Sequence, residues 1–286
     1  MSRLRTTAAL AGAASGAQVA SAAQPLVSAE WLAEHLADRQ VVVLDIRPAA
    51  EHASGHVPGA VSAEFGKAGW QVARPDGAVG ALPPVERLAE TIGALGVGDA
   101  AHVVIVGKDF PGAARVYWTF KVLGHDAVSV LDGGWHAWAG PAEQGPVEPR
   151  AATFTPRYDS ALRAELPEVS AAVADGTELL VDARPQAQWQ GTAKSPVVRA
   201  YGHLPGAVWV DQRAALTPDG RLKPKEALQS LFAEVGDKPA IAYCNAGYLA
   251  AADWFVLSEV LNHQGAKLYD GSLSEWTADP SRPVAR

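Results

Sequence analysis

The chain is written twice. VVLDIRP at residues 42–48 is answered by LLVDARP at 179–185, and GHVPGAV at 55–61 by GHLPGAV at 202–208. VVIVGKDFPGAARVYW at 103–118 matches AIAYCNAGYLAAADWF at 240–255, and LDGGWHAW at 131–138 matches YDGSLSEW at 269–276. Four blocks in one order, with their turn residues in register, specify a duplicated domain rather than one continuous fold. Asp45 thus faces Asp182, Arg47 faces Arg184 and Gly107 faces Cys244. The offset between the copies is 137 residues at DxR, grows to 147 at GHLPGA, where the second copy carries a ten-residue insertion that includes Lys194 and Arg199, and returns to 137 at the cysteine.

Between the copies, residues 140–157 hold Pro141, Pro146, Pro149 and Pro156 among few apolar residues, the pattern of an extended connector. The expected organisation is a first domain over 24–140, a linker over 141–157 and a second domain over 158–286. A length of 286 residues with 48% hydrophobic content is enough for two cores of ordinary domain size.

Within each copy, short apolar runs alternate with helical spacing. In the second, residues 179–181, 207–210, 240–243 and 267–269 read as brief strands, each followed by Gly, Pro, Asp or Asn. Residues 225–234 and 249–261 read as helices, with Trp254, Leu257, Val260 and Leu261 on one stripe. Such alternation predicts an α/β fold, a mostly parallel sheet with helices on both faces in each domain. Trp138 and Trp276 hold equivalent places and are expected in the two cores.

Residues 1–23 place Arg3 and Arg5 before an alanine-rich apolar run that ends in small residues, the order of an export signal. A periplasmic or secreted protein is the resulting expectation, with a cytoplasmic one the alternative if the leader is not an export signal. No other segment reaches the roughly 20 apolar residues a membrane crossing requires, so no membrane partner is expected. A formal net charge of -7 argues against a broad basic surface for nucleic acid.

The chain has one cysteine, which excludes an internal disulfide and a cysteine-rich zinc site. Cys244 follows the strand ending at Tyr243 and precedes Asn245, Ala246 and Gly247, after which a helix runs through Ala250, Ala251 and Ala252. In parallel sheets ligands gather where strands end and helices begin. A loop there can aim several backbone N–H groups and the positive end of a helix at one sulfur, which favours thiolate over thiol.

DxR near each domain start, GHxPGA in each copy, a single cysteine opening a second-domain loop and YDGSLSEW near the end together resemble tandem rhodaneses, the thiosulfate and 3-mercaptopyruvate sulfurtransferases. The resemblance runs from about Leu26 to Trp276 and implies two rhodanese-like domains, of which the second is catalytic. It also implies double displacement: Cys244 thiolate attacks the outer sulfur of a small anionic donor, and the persulfide passes that sulfur to cyanide or an external thiol. The loop of residues 244–249, with Asn245, Ala246, Gly247, Tyr248 and Leu249, has the family length and would cradle the donor. Where thiosulfate enzymes tend to carry lysine and mercaptopyruvate enzymes serine, this chain has Ala246. Arg184 resembles the family's substrate-binding arginine, and Lys194 and Arg199 fall near the expected rim of the pocket.

Other readings are weaker. A phosphatase would need an arginine closing the cysteine loop, and Leu249 and Ala250 stand there instead. A non-enzymatic sulfur carrier or protein-docking module is the main alternative. His52 and His56 are spaced as metal ligands on a helix, but His56 belongs to a turn that repeats with His203, which points to structural hydrogen bonding and no metal. Without a phosphate-binding glycine loop, no nucleotide cofactor is expected.

Overall fold

The structure is a computed structural model describing residues 23–286; the expected export signal lies, but for Ala23, outside the described residues. Among the described residues, nine strands form two sheets. The first contains β1 (Leu26–Val27), β2 (Val41–Asp45), β3 (Val61–Ser62), β4 (His102–Val106) and β5 (Val128–Leu131) in the order β1-β5-β4-β2-β3. The second contains β6 (Leu179–Asp182), β7 (Val208–Trp209), β8 (Ala240–Tyr243) and β9 (Ala266–Leu268) in the order β7-β6-β8-β9. All pairings are parallel. The orders superimpose, because Arg163 bridges Leu268 where β1 pairs β5 in the first sheet.

Parallel strands need crossover connections, and here helices make them. Strands buried on both faces read as continuous apolar runs, as Val103, Val104, Ile105 and Val106 do, each fully buried. The strand predictions hold to within a residue or two. The predicted helix over 225–234 is shorter, an α-helix at Lys225–Leu231 followed by a 3₁₀ turn at Ala233–Val235. The one over 249–261 is an α-helix at Ala250–Phe255 that widens into a π-helix at Val256–Val260 before Asn262 turns the chain at φ 55°.

Trp138 and Trp276 are buried as expected, and the indole N–H of each donates to a carbonyl a few residues on, Pro141 at 3.0 Å and Pro283 at 2.9 Å. The connector is extended but attached to the first domain. Glu143 pairs with His56 backbone to backbone, Ala152 N–H donates to Gly93, and Phe154 is buried.

The domains share one core. Helix Phe110–Val122 of the first packs on helix Ala250–Phe255 of the second, with Phe110 and Tyr117 edge-on to Phe255. Each domain also lends a Pro-Asp-Gly turn to the other. After Pro75, Asp76 and Gly77, the Leu82 N–H reaches across to the Asp270 carboxylate; after Pro218, Asp219 and Gly220, the Leu222 N–H reaches the equivalent Asp132 at 3.1 Å. The exchange brings first-domain residues onto the cysteine loop.

Candidate active site

Cys244 leaves the carboxyl end of β8, and its loop is held from below by one hydroxyl. Ser272 Oγ accepts the N–H groups of Cys244 and Gly247, both at 3.0 Å, and donates to the Tyr269 carbonyl at 2.7 Å. The Cys244 and Asn245 carbonyls accept from Leu273 and Ser274, so the loop is also stitched to helix Ser272–Trp276. Gly247 turns at φ 70°, and a Cβ there would press on Arg115 and on Asp270. Only glycine suits that place.

With Ser272 taking two amides, those of Asn245, Ala246, Tyr248, Leu249 and Ala250 make no hydrogen bond among the described residues. Free backbone amides of this kind can receive an anion through their oriented dipoles. Asn245 Nδ2 donates to Gln188 at 2.9 Å, while Tyr248 Oη donates to Asp109 of the first domain at 2.7 Å; burial and the Asp109 charge raise the Tyr248 phenol well above its usual range. Leu249 packs on the shared core. These residues form one continuous loop between β8 and helix Ala250–Phe255.

The thiol is more closed than a strand-end position implies. Cys244 is 1% exposed. First-domain residues 74–82 lie against its loop: Val79 N–H donates to Ser274 Oγ at 3.2 Å, and a methyl on Gly80 would collide with the Ala246 carbonyl. Arg74 pairs with Glu275 on the same side. The strap and the loop together cover Cys244.

None of the three predicted cations hydrogen-bonds to the cysteine loop, although Arg184 lies within reach of the Cys244 charge. Arg184 is buried and its fork is committed to Asp182, with Nε to Oδ1 at 2.8 Å and Nη2 to Oδ2 at 2.6 Å, while Nη2 also donates to Gly202 at 2.9 Å. Arg47 repeats the arrangement with Asp45 and Gly55 in the copy that lacks the cysteine, so the pair fastens the GHxPGA turn to the strand end in both domains. Nε and Nη2 of Arg184 are thus held by Asp182 and Gly202, and its Nη1 makes no hydrogen bond among the described residues. Lys194 folds back on the Val198 carbonyl, and exposed Arg199 reaches the Ala278 carbonyl; neither bonds to the loop. Arg199 ties the insertion to the segment after the last helix, its N–H donating to Thr277 Oγ1 at 2.9 Å. The histidines are structural: the His52 and His56 rings stack at 3.8 Å and bond to the Ala60 and His52 carbonyls.

The partners that hold the loop, Ser272, Gln188 and Arg115, escaped the sequence reading. Ser272 had a signal, since its counterpart in LDGGWHAW is Gly134 and the copies thus differ together at the thiol and at the hydroxyl beneath it. Arg115 was visible as one charge inside the apolar run PGAARVYW. At the matching end of the first sheet a cavity of about 390 Å³ opens beside Lys108, Phe110, Leu131, His136 and Arg221.

A model of the rhodanese-like domain matches residues 28–141 and again 165–279. The chain belongs to the rhodanese family. Its relatives include a Mycolicibacterium smegmatis protein provisionally named thiosulfate sulfurtransferase, 32% identical over 91% of this chain and 96% of the other. The 3-mercaptopyruvate sulfurtransferase of Escherichia coli K12 is 31% identical, covering 90% and 96%, and the Thermus thermophilus sulfur carrier protein TtuD is 31% identical, covering 91% and 96%. Among solved structures, SseA from Escherichia coli, a 3-mercaptopyruvate sulfotransferase, aligns with a TM-score of 0.78 at 28% identity over 87% of this chain and 99% of its own. The EanB structure aligns at 0.81 with 20% identity over 91% of this chain and 68% of its own, which speaks to the fold alone.

Proposed function

We propose that this rhodanese is a sulfurtransferase that moves a sulfane sulfur from thiosulfate or 3-mercaptopyruvate to cyanide or an external thiol through a persulfide on Cys244. The observation that carries the reading is the single free cysteine at the carboxyl end of β8, opening a loop in which the Asn245, Ala246, Tyr248 and Leu249 amides make no hydrogen bond among the described residues. Attack of the thiolate on the outer sulfur of thiosulfate forms the S–S bond of the persulfide and releases sulfite; attack by the acceptor on the terminal sulfur returns the thiolate. The chain has no second cysteine to resolve the persulfide, so the acceptor comes from outside.

The test compares thiosulfate and 3-mercaptopyruvate as donors to cyanide under turnover, with mass spectrometry for an adduct of about 32 Da, one sulfur atom, on Cys244. Turnover with the adduct supports the reading, and Cys244→Ser abolishes both. Turnover retained in Cys244→Ser would end the proposal. A second reading, a sulfur carrier that is loaded once and docks on a partner, draws on the near-complete enclosure of Cys244 and on the name of the Thermus relative. It predicts one sulfur equivalent and no cycling. Export is proposed from residues 1–23 and is checked by N-terminal sequencing of protein recovered outside the cytoplasm.

A further inference from the structure

We infer that Arg115, contributed by the first domain, supplies the Cys244 site with a positive charge that no carboxylate takes up, and acts as its positioning residue. Arg115 lies on helix Phe110–Val122, is fully buried, and makes no ion pair among the described residues. Its Nη1 donates to the Gly247 carbonyl at 3.2 Å and its Nη2 to the Gly80 carbonyl at 2.8 Å, so it clamps the cysteine loop to the strap above it. Its Nε is buried without a partner. The guanidinium sits over Trp118, 4.9 Å from the ring centroid, which fixes its plane.

A guanidinium withdrawn from water is costly unless an anion answers it. The other two arginines of this region each have one: Arg184 holds Asp182, and Arg163 holds Asp270 through Nε at 2.9 Å and Nη2 at 3.0 Å. Arg115 has only carbonyl oxygens. The negative groups whose charge acts on it are Asp270, already gripped by Arg163, and the Cys244 sulfur. The missing counter-ion is therefore the sulfur itself, as thiolate, as persulfide or as the end of an arriving donor. The second copy places Ala252 at the position equivalent to Arg115, facing the loop that has no thiol. One cation and one sulfur are thus paired across the domain boundary.

The inference rests on the reading of Cys244 as the sulfur-carrying thiol, so its test reads the potential at that thiol and not turnover. Alkylation by anionic iodoacetate and by neutral iodoacetamide draws on the same thiolate, and the ratio of the two rates cancels how much thiolate is present. Each alkylation forms an S–C bond and expels iodide. In the intact protein the iodoacetate-to-iodoacetamide ratio is expected to exceed that of glutathione. Arg115→Gln, which keeps a donor for the carbonyls but removes the charge, lowers the ratio about tenfold, the scale of one nearby charge at partial burial. Arg115→Lys restores it. Circular dichroism and the thermal midpoint check the fold of each variant, since a residue that merely ties two domains together would change stability and leave the ratio alone. An unchanged ratio in folded Arg115→Gln overturns the inference, as does an intact-protein ratio at or below that of glutathione should Arg115→Gln not fold. An intact protein that neither reacts with either reagent nor transfers sulfur removes the reading of the site and with it the role of Arg115; one that transfers sulfur without preferring the anionic reagent removes Arg115 alone.

Discussion

Replacing Ser272 separates the work of its hydroxyl from the work of its backbone. The hydroxyl serves three buried groups, the Cys244 and Gly247 amides and the Tyr269 carbonyl. In Ser272→Ala all three lose their partner, and at about 1 kcal/mol for each orphaned group, the lower end of the usual range, the variant loses about 3 kcal/mol. Ser272 also sits at φ 50°, where a residue with a Cβ is strained by about 1 kcal/mol. Ser272→Gly removes that strain and is expected to lose only about 2 kcal/mol, although glycine is ordinarily the more destabilising substitution. Gly134 occupies the equivalent place in the first copy at φ 56°, so the backbone accepts glycine there. Urea unfolding at neutral pH measures the order of stability, and single-turnover transfer from thiosulfate measures how far the loop has loosened, with a loss of about tenfold or more expected in both variants. Ser272→Ala at least as stable as Ser272→Gly, or both within about 0.5 kcal/mol of the parent, would refute the account of this hydroxyl.

Arg184→Ala leaves Asp182 buried and unpaired, which costs about 3–5 kcal/mol, and the donor KM of the surviving folded fraction should stay near that of the parent; a KM rise without loss of stability would return Arg184 to the donor. Asp253 is fully buried with neither oxygen bonded, and desolvation, then the Asp182 and Asp211 charges, push its carboxyl well above the usual range. The folded state therefore keeps a proton that the unfolded chain releases, so its stabilising contribution is present below the ordinary carboxyl range and is lost as pH rises. Asp253→Asn should gain on the parent between pH 5 and pH 8 by at most about 1.4 kcal/mol per pH unit, read by urea unfolding at both; a gain independent of pH would sink this. Gly80→Ala forces a methyl against the Ala246 carbonyl, displaces the strap and should speed iodoacetamide labelling of Cys244 several-fold; slower labelling would show that the strap does not enclose the thiol.

The repeat and its alternating strands were legible because each depends on local pattern: apolar runs set β6 and β8, and Gly and Pro set the turns after them. The cysteine loop was legible for the same reason, as a strand, a turn and a helix contiguous in sequence. What escaped was non-local. Arg184 stands beside the right strand end, but its charge is spent two residues away on Asp182, and no pattern within the second copy announces that the unpaired arginine comes from a helix in the first. The π-helix at Val256–Val260 was equally hidden, since the apolar stripe through Trp254 and Leu257 reads the same for an α-helix.

Because Leu82 crosses to Asp270 and Leu222 crosses back to Asp132, neither half of this molecule is finished by its own residues. A lone second half, severed at the connector, would keep its sulfur atom but lose both its cover and its guanidinium, and it would recover them only by finding another polypeptide with the same turn. Two identical single-copy ancestors embracing one another could satisfy that need by symmetry. In this chain the embrace is made within one polypeptide, and the half without a thiol lies over the half that has one.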